Sequence, residues 1–182
     1  MKPTTRRMLF APAARCAVAL MLIAGWPAGA QQPIAVAGVR LDEAFRLTGS
    51  NSMGLVVSVT VNELKPHTTS DNFLVRLFDP AGRPAGDISC LAMRQLPDGG
   101  VPNPPWILLD SPTGSLERSY AALLASKAAI VQKGRTHAID RTGRYEFVFL
   151  IGPTAKQAAL LFGENRPDVA RLPVGSFEVP WP

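Results

Sequence analysis

The most regular pattern of apolar positions in the chain lies at residues 145–151. Under period-two alternation one face of this segment is wholly apolar, with Tyr145, Phe147, Phe149 and Ile151. After Glu146 the opposite face is apolar as well, which is typical of a strand inside a sheet that is covered on both sides. Gly152 and Pro153 end the run, and residues 157–162 predict a second strand that runs back beside it. We therefore expect this pair of strands at the centre of a β-rich domain.

Shorter runs of the same kind predict the other strands. Residues 53–62 give the clearest one, because Val and Leu alternate there with small polar side chains. The sequence from Asp79 to Gly82 reads Asp-Pro-Ala-Gly, which favours a type I turn between the strands on either side. The remaining predicted strands cover residues 34–41, 73–78, 88–93, 135–139 and 176–179.

The pattern changes between residues 115 and 132, where apolar side chains recur at helical spacing. Ser115 is a suitable N-cap and Gly134 a suitable stop, so we predict one helix at about 115–132. A loop at residues 96–105, with four prolines and two glycines, precedes it. The predicted fold class is therefore all-β, an antiparallel sandwich with one inserted helix.

Residues 1–30 have the three parts of a secretory signal peptide. A basic start is followed by an apolar core at residues 16–25 and by the small residues Ala28, Gly29 and Ala30. The core is about half the roughly 20 residues that a membrane-spanning helix needs, so we expect cleavage and no stable membrane span. The Arg6-Arg7 pair also resembles a twin-arginine signal, which leaves the general and the twin-arginine export routes open. We predict a single domain at residues 31–182 in the periplasm or outside the cell.

Removal of the signal peptide changes the net charge. The whole chain has 19 Lys and Arg against 14 Asp and Glu, a net charge of +5. Residues 1–30 hold four of the basic residues and none of the acidic ones, which leaves a net charge of +1 for residues 31–182. The high isoelectric point therefore comes from the export signal and does not indicate nucleic-acid binding.

Few side chains after residue 30 suggest chemistry. Cys90 is the only cysteine there, and its apolar neighbours indicate a buried thiol rather than a nucleophile. His67 and His137 are the only histidines, too few for a zinc site of three or four such ligands. No serine stands in a nucleophile elbow, and no glycine-rich phosphate loop occurs. We therefore predict no catalytic residue, no metal and no cofactor.

One stretch of uneven charge remains. Residues 117–156 carry seven basic and three acidic side chains. Four of the basic residues cluster around one predicted hairpin end and form the candidate binding site: Lys133, Arg135, Arg141 and Arg144. Such a cluster suits an anionic partner, an envelope polymer or a lipid head group, and its alternative role is a solvated surface.

Three stretches together resemble a known kind of module. They are the strand at residues 55–62, the Asp-Pro-Ala-Gly hairpin at residues 73–82, and the long run at residues 145–162. They resemble the secreted immunoglobulin-like sandwich modules of bacteria, of the immunoprotective extracellular kind. Such modules share no catalytic residues, so the resemblance implies an immunoglobulin-like fold and a binding or accessory role. The predicted helix and the proline loop before it depart from the compact module.

The sequence thus favours an exported, non-catalytic binding or accessory module of the cell envelope. Its expected partner is an envelope protein or an anionic envelope polymer. Two alternatives stay open: a small envelope hydrolase with a site built from loops, and a carrier of a small apolar ligand. A deep pocket with a histidine or two carboxylates would indicate the hydrolase, and a large cavity between the sheets would indicate the carrier.

Overall fold

The computed structural model describes residues 36–46, 51–97, 104–109, 130–132, 136–152, 155–164 and 166–180. The chain divides into two compact units, Met1–Gln31 and Gln32–Pro182, and all the described residues belong to the second. The division falls one residue after the expected cleavage position. Within the described residues, no helix is both long and apolar enough to cross a membrane.

The described residues form ten strands in two sheets. In chain order they are β1 (Val36–Arg46), β2 (Met53–Val61), β3 (Phe73–Phe78), β4 (Pro84–Ser89), β5 (Ala92–Leu96), β6 (Trp106–Leu108), β7 (Ile130–Gln132), β8 (Gly143–Ile151), β9 (Gln157–Phe162) and β10 (Leu172–Glu178). The larger sheet has the order β1-β2-β8-β5-β6-β7 and the smaller sheet the order β10-β9-β3-β4. Neighbouring strands are antiparallel except β6 and β7, which are parallel. The prediction of a β-rich chain with two mainly antiparallel sheets is confirmed.

The strand predicted to be central, β8, lies between β2 and β5 in the larger sheet. The prediction that residues 157–162 run back beside it is wrong, because β9 lies between β10 and β3 in the smaller sheet. In β8, Phe147 and Val148 point to opposite faces, and both are fully buried. Phe147 belongs to the main core between the sheets. Val148 belongs to a second apolar group on the other face, which we call the outer cluster: Val56, Ala92, Trp106, Leu108 and Val148. The prediction that both faces of this strand are covered is confirmed.

Aromatic rings connect the two sheets inside the main core. The ring of Phe73 in β3 stacks on that of Phe147 with 4.6 Å between the ring centres. It also meets the ring of Phe162 in β9 edge-on at 4.7 Å. These separations are those of rings in direct contact, so side chains fill this part of the interior.

Strand β1 connects the two sheets along one side. Its pairing with β2 shifts register twice, once on each side of Leu41. The side chain of Val39 occupies the space above Gly175 in β10, where an added Cβ would overlap it. The ring of Phe45 lies against Gly54 of β2 in the same manner. These two glycines let β1 approach both neighbours closely.

The single strand predicted at residues 88–93 is wrong, because two strands meet there. Strand β4 ends at Ser89 in the smaller sheet, and β5 begins at Ala92 in the larger sheet. Between them Cys90 is buried in the main core. The chain passes from one sheet to the other at this point, and apolar alternation alone does not reveal such a crossing. The turn predicted before β4 is confirmed, since the N–H of Gly82 donates to the carbonyl of Asp79 at 2.9 Å.

The predicted helix at 115–132 is wrong at its end. Ile130–Gln132 is strand β7, paired in parallel with β6. Over so short an apolar run the helical and the extended patterns cannot be separated. Residues 115–129 of the predicted helix lie outside the described residues.

Three other predicted boundaries differ from the structure. Strand β1 continues to Arg46 rather than ending at Leu41. Strand β10 begins at Leu172 and includes Pro173, which an edge strand tolerates. In the described part of the strand predicted at 135–139, the only pairing is a bridge between Thr69 and Ala138.

Candidate functional site

Two of the four predicted binding residues lie in the described part of the chain. Arg141 precedes β8 and Arg144 is its second residue, whereas Lys133 and Arg135 lie outside the described residues. The side chain of Arg141 is 76% exposed, and its Nε lies 4.0 Å from Oδ1 of Asp140. This guanidinium therefore faces solvent beside one exposed carboxylate.

Arg144 is held by the first strand of the domain. Its Nη2 donates to Oδ2 of Asp42 at 3.0 Å, and 42% of its side chain is exposed. The other oxygen of the same carboxylate, Oδ1, accepts a hydrogen bond from Nε of Arg40 at 2.5 Å. One carboxylate thus fixes two guanidinium groups on the outer face of the larger sheet.

The carboxyl of Asp42 is charged at neutral pH. Burial opposes its ionisation, but hydrogen bonds from Ser58, Arg40 and Arg144 outweigh this effect, so the pKa of Asp42 lies below its ordinary value. Sequence reasoning missed both Arg40 and Asp42 as parts of the site. Asp42 lies 102 residues before Arg144, and no local pattern connects positions so far apart.

The turn before β8 holds the backbone of Arg141. The hydroxyl of Tyr145 donates to the carbonyl of Arg141 at 2.7 Å. Burial raises the pKa of Tyr145, so its hydroxyl keeps the proton that makes this bond. Gly143 has φ of 130°, a region that favours glycine. The side-chain amide of Gln95 donates to the carbonyl of Thr142 at 3.4 Å and ties the turn to β5.

A second ion pair lies on the same face, next to the outer cluster. Nε of Arg94 donates to Oε2 of Glu146 at 2.6 Å, and the two side chains are 16% and 9% exposed. The guanidinium of Arg94 also lies 4.4 Å from the ring centre of Trp106, within the range of a cation–π contact. Because Arg94 and Glu146 form an ion pair and are mostly buried, they are less accessible to a partner than Arg141.

Cys90, the potential nucleophile, and the two histidines are not among the described residues that contact these arginines. The thiol of Cys90 donates to the carbonyl of Ala92, with Sγ 3.0 Å from the oxygen. Burial raises the pKa of Cys90 well above its ordinary value, so the thiol stays neutral and its predicted burial is confirmed. His67 is exposed in a turn, and the backbone of His137 bonds to Ser70. In the part of the chain that the structure describes, no three His, Cys, Asp or Glu residues are grouped to hold a metal ion.

Comparison of the chain with protein-family models, with curated proteins and with solved structures found no match. The exposed guanidinium groups near the start of β8 include those of Arg40, Arg141 and Arg144. Guanidinium N–H groups pair with carboxylate and phosphate oxygens, which makes anion binding the chemistry that this surface can perform.

Proposed function

We propose that the chain is an exported, non-catalytic binding module of the cell envelope, built on an immunoglobulin-like sandwich. Its proposed partner is an anionic envelope polymer. The order of the strands in the two sheets is the single observation that carries this proposal. The arginines near the start of β8 supply the chemistry of the contact.

The strand order supports an immunoglobulin-like arrangement. Immunoglobulin domains place strands A, B, E and D in one sheet and G, F and C in the other, and variable-type domains add C′. The order β1-β2-β8-β5 is the one expected for A-B-E-D, and the order β10-β9-β3-β4 is the one expected for G-F-C-C′, which supports the proposed arrangement. Strands β6 and β7 extend the larger sheet beyond this pattern. Immunoglobulin-like sandwiches bind their partners through loops. The proposed binding role is drawn from this similarity of fold.

The position of the expected cleavage supports export. The first described strand, β1, begins at Val36, so removal of residues 1–30 takes away none of the described strands. The compact unit that contains the sandwich begins at Gln32.

The exposed arginines support an anionic partner, with moderate affinity. Arg141 faces solvent, and Arg40 and Arg144 each have N–H groups beyond the one bound to Asp42. The carboxylates of Asp42 and Asp140 offset part of the positive charge. We therefore expect attraction that is strong at low salt and weak at high salt.

Binding of residues 31–182 to immobilised poly-L-glutamate and to immobilised polyphosphate tests the proposal. We expect salt-sensitive retention on at least one polymer, and weaker retention for Arg141→Glu. The matched control is Lys156→Glu. This exposed cation follows the far end of β8, whereas Arg141 precedes the near end, and the nine residues of β8 span about 30 Å. Equal retention of both variants and the unmodified domain would contradict the proposed site.

A lipid partner is tested with vesicles that contain phosphatidylglycerol. Binding to the vesicles and to neither polymer would replace the polymer with a lipid head group. Absence of binding to all three probes would remove the anionic partner from the proposal.

A further inference from the structure

We infer that Arg40 and Arg144 form one subsite for a single oxyanion group, a carboxylate or a phosphate, and that Asp42 positions their two guanidinium groups. The three side chains come from β1 and β8, which are separated by β2 in the larger sheet. All three lie in the described part of the chain. The subsite deepens the proposed function, on which its role rests, because it specifies which group of an anionic polymer these arginines bind.

A β-bulge in β1 places the carboxylate of Asp42 between the two arginines. The register of β1 against β2 shifts between Leu41 and Glu43, so Asp42 is the extra residue of the bulge and is not paired in this ladder. Bulges commonly redirect a side chain beside a functional site. Here Oδ1 of the carboxylate accepts a hydrogen bond from Arg40, and Oδ2 accepts one from Arg144.

The carboxylate of Asp42 is itself held in place. It accepts a third hydrogen bond from the hydroxyl of Ser58, a buried residue that lies opposite Arg40 in the ladder of β1 and β2. Only 16% of the Asp42 side chain is exposed. A carboxylate bound by three donors keeps both guanidinium groups in defined positions before a ligand arrives, which lowers the entropic cost of binding.

The spacing of the two guanidinium groups suits one oxyanion. Nε of Arg40 and Nη2 of Arg144 are separated by at most two hydrogen bonds, of 2.5 and 3.0 Å, and the width of one carboxylate. A carboxylate or phosphate on the solvent side has a similar width between two of its oxygens, so it can accept a hydrogen bond from each arginine. The bonds to Asp42 use only Nε of Arg40 and only Nη2 of Arg144, which leaves further N–H groups on both for the ligand.

The charge balance distinguishes this group from the ion pair on the smaller sheet. There Nε and Nη2 of Arg76 bind the two oxygens of Asp87, both at 2.7 Å, so one cation and one anion neutralise each other. At Asp42 two guanidinium groups share one carboxylate, and two positive charges with one negative charge leave a net charge of +1. The three side chains together therefore still attract an anion.

Titration of ¹⁵N-labelled residues 31–182 with inorganic phosphate and, separately, with acetate tests the subsite, with chloride keeping the ionic strength constant. With at least one probe we expect the Nε–H signals of Arg40 and Arg144 to shift with one common midpoint, and that of Arg76 to stay unchanged. Different midpoints, or no shift at either arginine with both probes, would overturn the inference. Polymer retention without this response would leave the proposed function standing. The response without polymer retention would remove the proposed function and leave the subsite.

Arg40→Gln tests whether the two arginines bind the same group. We expect the midpoint measured at Arg144 to rise roughly tenfold, because one charge-assisted hydrogen bond contributes about that factor. The matched control is Arg46→Gln, which removes the same charge from the last residue of β1, about 20 Å along the strand. An equal rise in both variants would show a general effect of charge and overturn the shared subsite.

Asp42→Asn tests the positioning role. The substitution removes a negative charge, which alone would lower the midpoints at Arg40 and Arg144 together. Loss of positioning should instead separate the two midpoints. Asp140→Asn makes the same change of charge beside Arg141 and should keep the midpoint common. A common midpoint in Asp42→Asn would show that Asp42 does not position the arginines.

Discussion

The side chain of Phe147 contacts aromatic rings in its own strand and in the opposite sheet. It is fully buried, stacks on Phe73 across the sheets, and has Tyr145 and Phe149 beside it on its own strand. We expect Phe147→Ala to lower the free energy of unfolding by about 3–5 kcal/mol, because the cavity would lie between two rigid sheets. Urea denaturation measures this loss. Phe177→Ala, at a half-buried position in edge strand β10, should cost clearly less.

Arg141 and Arg144 should respond differently to charge reversal, although the sequence groups them together. Arg141→Glu should leave the melting temperature nearly unchanged, because the side chain is exposed and its ion pair is long. Arg144→Glu would place a second carboxylate against Asp42, so we expect a loss of roughly 0.5–1 kcal/mol. Thermal melting of the two single variants at low salt checks this difference. Equal melting temperatures would show that the contact between Arg144 and Asp42 contributes nothing.

At the scale of the element, the close approach of β1 and β10 depends on Gly175. A Cβ at this position would overlap the Cβ of Val39, so Gly175→Ala should destabilise the domain by about 1–3 kcal/mol. Val39→Ala keeps its own Cβ but removes the methyl groups near Gly175, so the double variant should lose less than the sum of the single losses. A double-mutant cycle in urea measures this interaction. The control is Gly152→Ala, since no atom lies within 4 Å of an added Cβ there.

Strands with strong alternation could be predicted from the sequence, and the crossings between sheets could not. The apolar residues in the sequences of β2, β8 and β9 predict burial correctly, because one apolar face of each strand lies in the main core. At Cys90 the apolar run continues while the chain changes sheets, so the pattern carries no sign of the break. Ile130–Gln132 shows the same limit, because three residues do not define a period.

The candidate site could be predicted only in part. The sequence shows Arg141 and Arg144 as near neighbours with like charge. It does not show that Asp42 and Arg40 join Arg144, because strand pairing brings these residues together across β2. The alternation in the sequence also puts Glu146 on the face opposite Phe147. It does not show that the partner of Glu146 is Arg94 of β5.

At the scale of the whole molecule, maturation should produce a chain that begins at Gln31. Removal of residues 1–30 leaves every described strand in place, because β1 begins at Val36. The intact mass of the exported protein measures the cleavage position. A mass that includes Trp26 would contradict the predicted signal peptide.

We propose that an exported sandwich binds anions through the segment that leads into β8. Chemical-shift mapping tests it most directly, with ¹⁵N-labelled residues 31–182 titrated with poly-L-glutamate and with polyphosphate at low salt. We expect shifts concentrated at residues 136–144, including the Nε–H signal of Arg141, that disappear at high salt. Shifts confined to the smaller sheet, or shifts at residues 136–144 that persist at high salt, would contradict it.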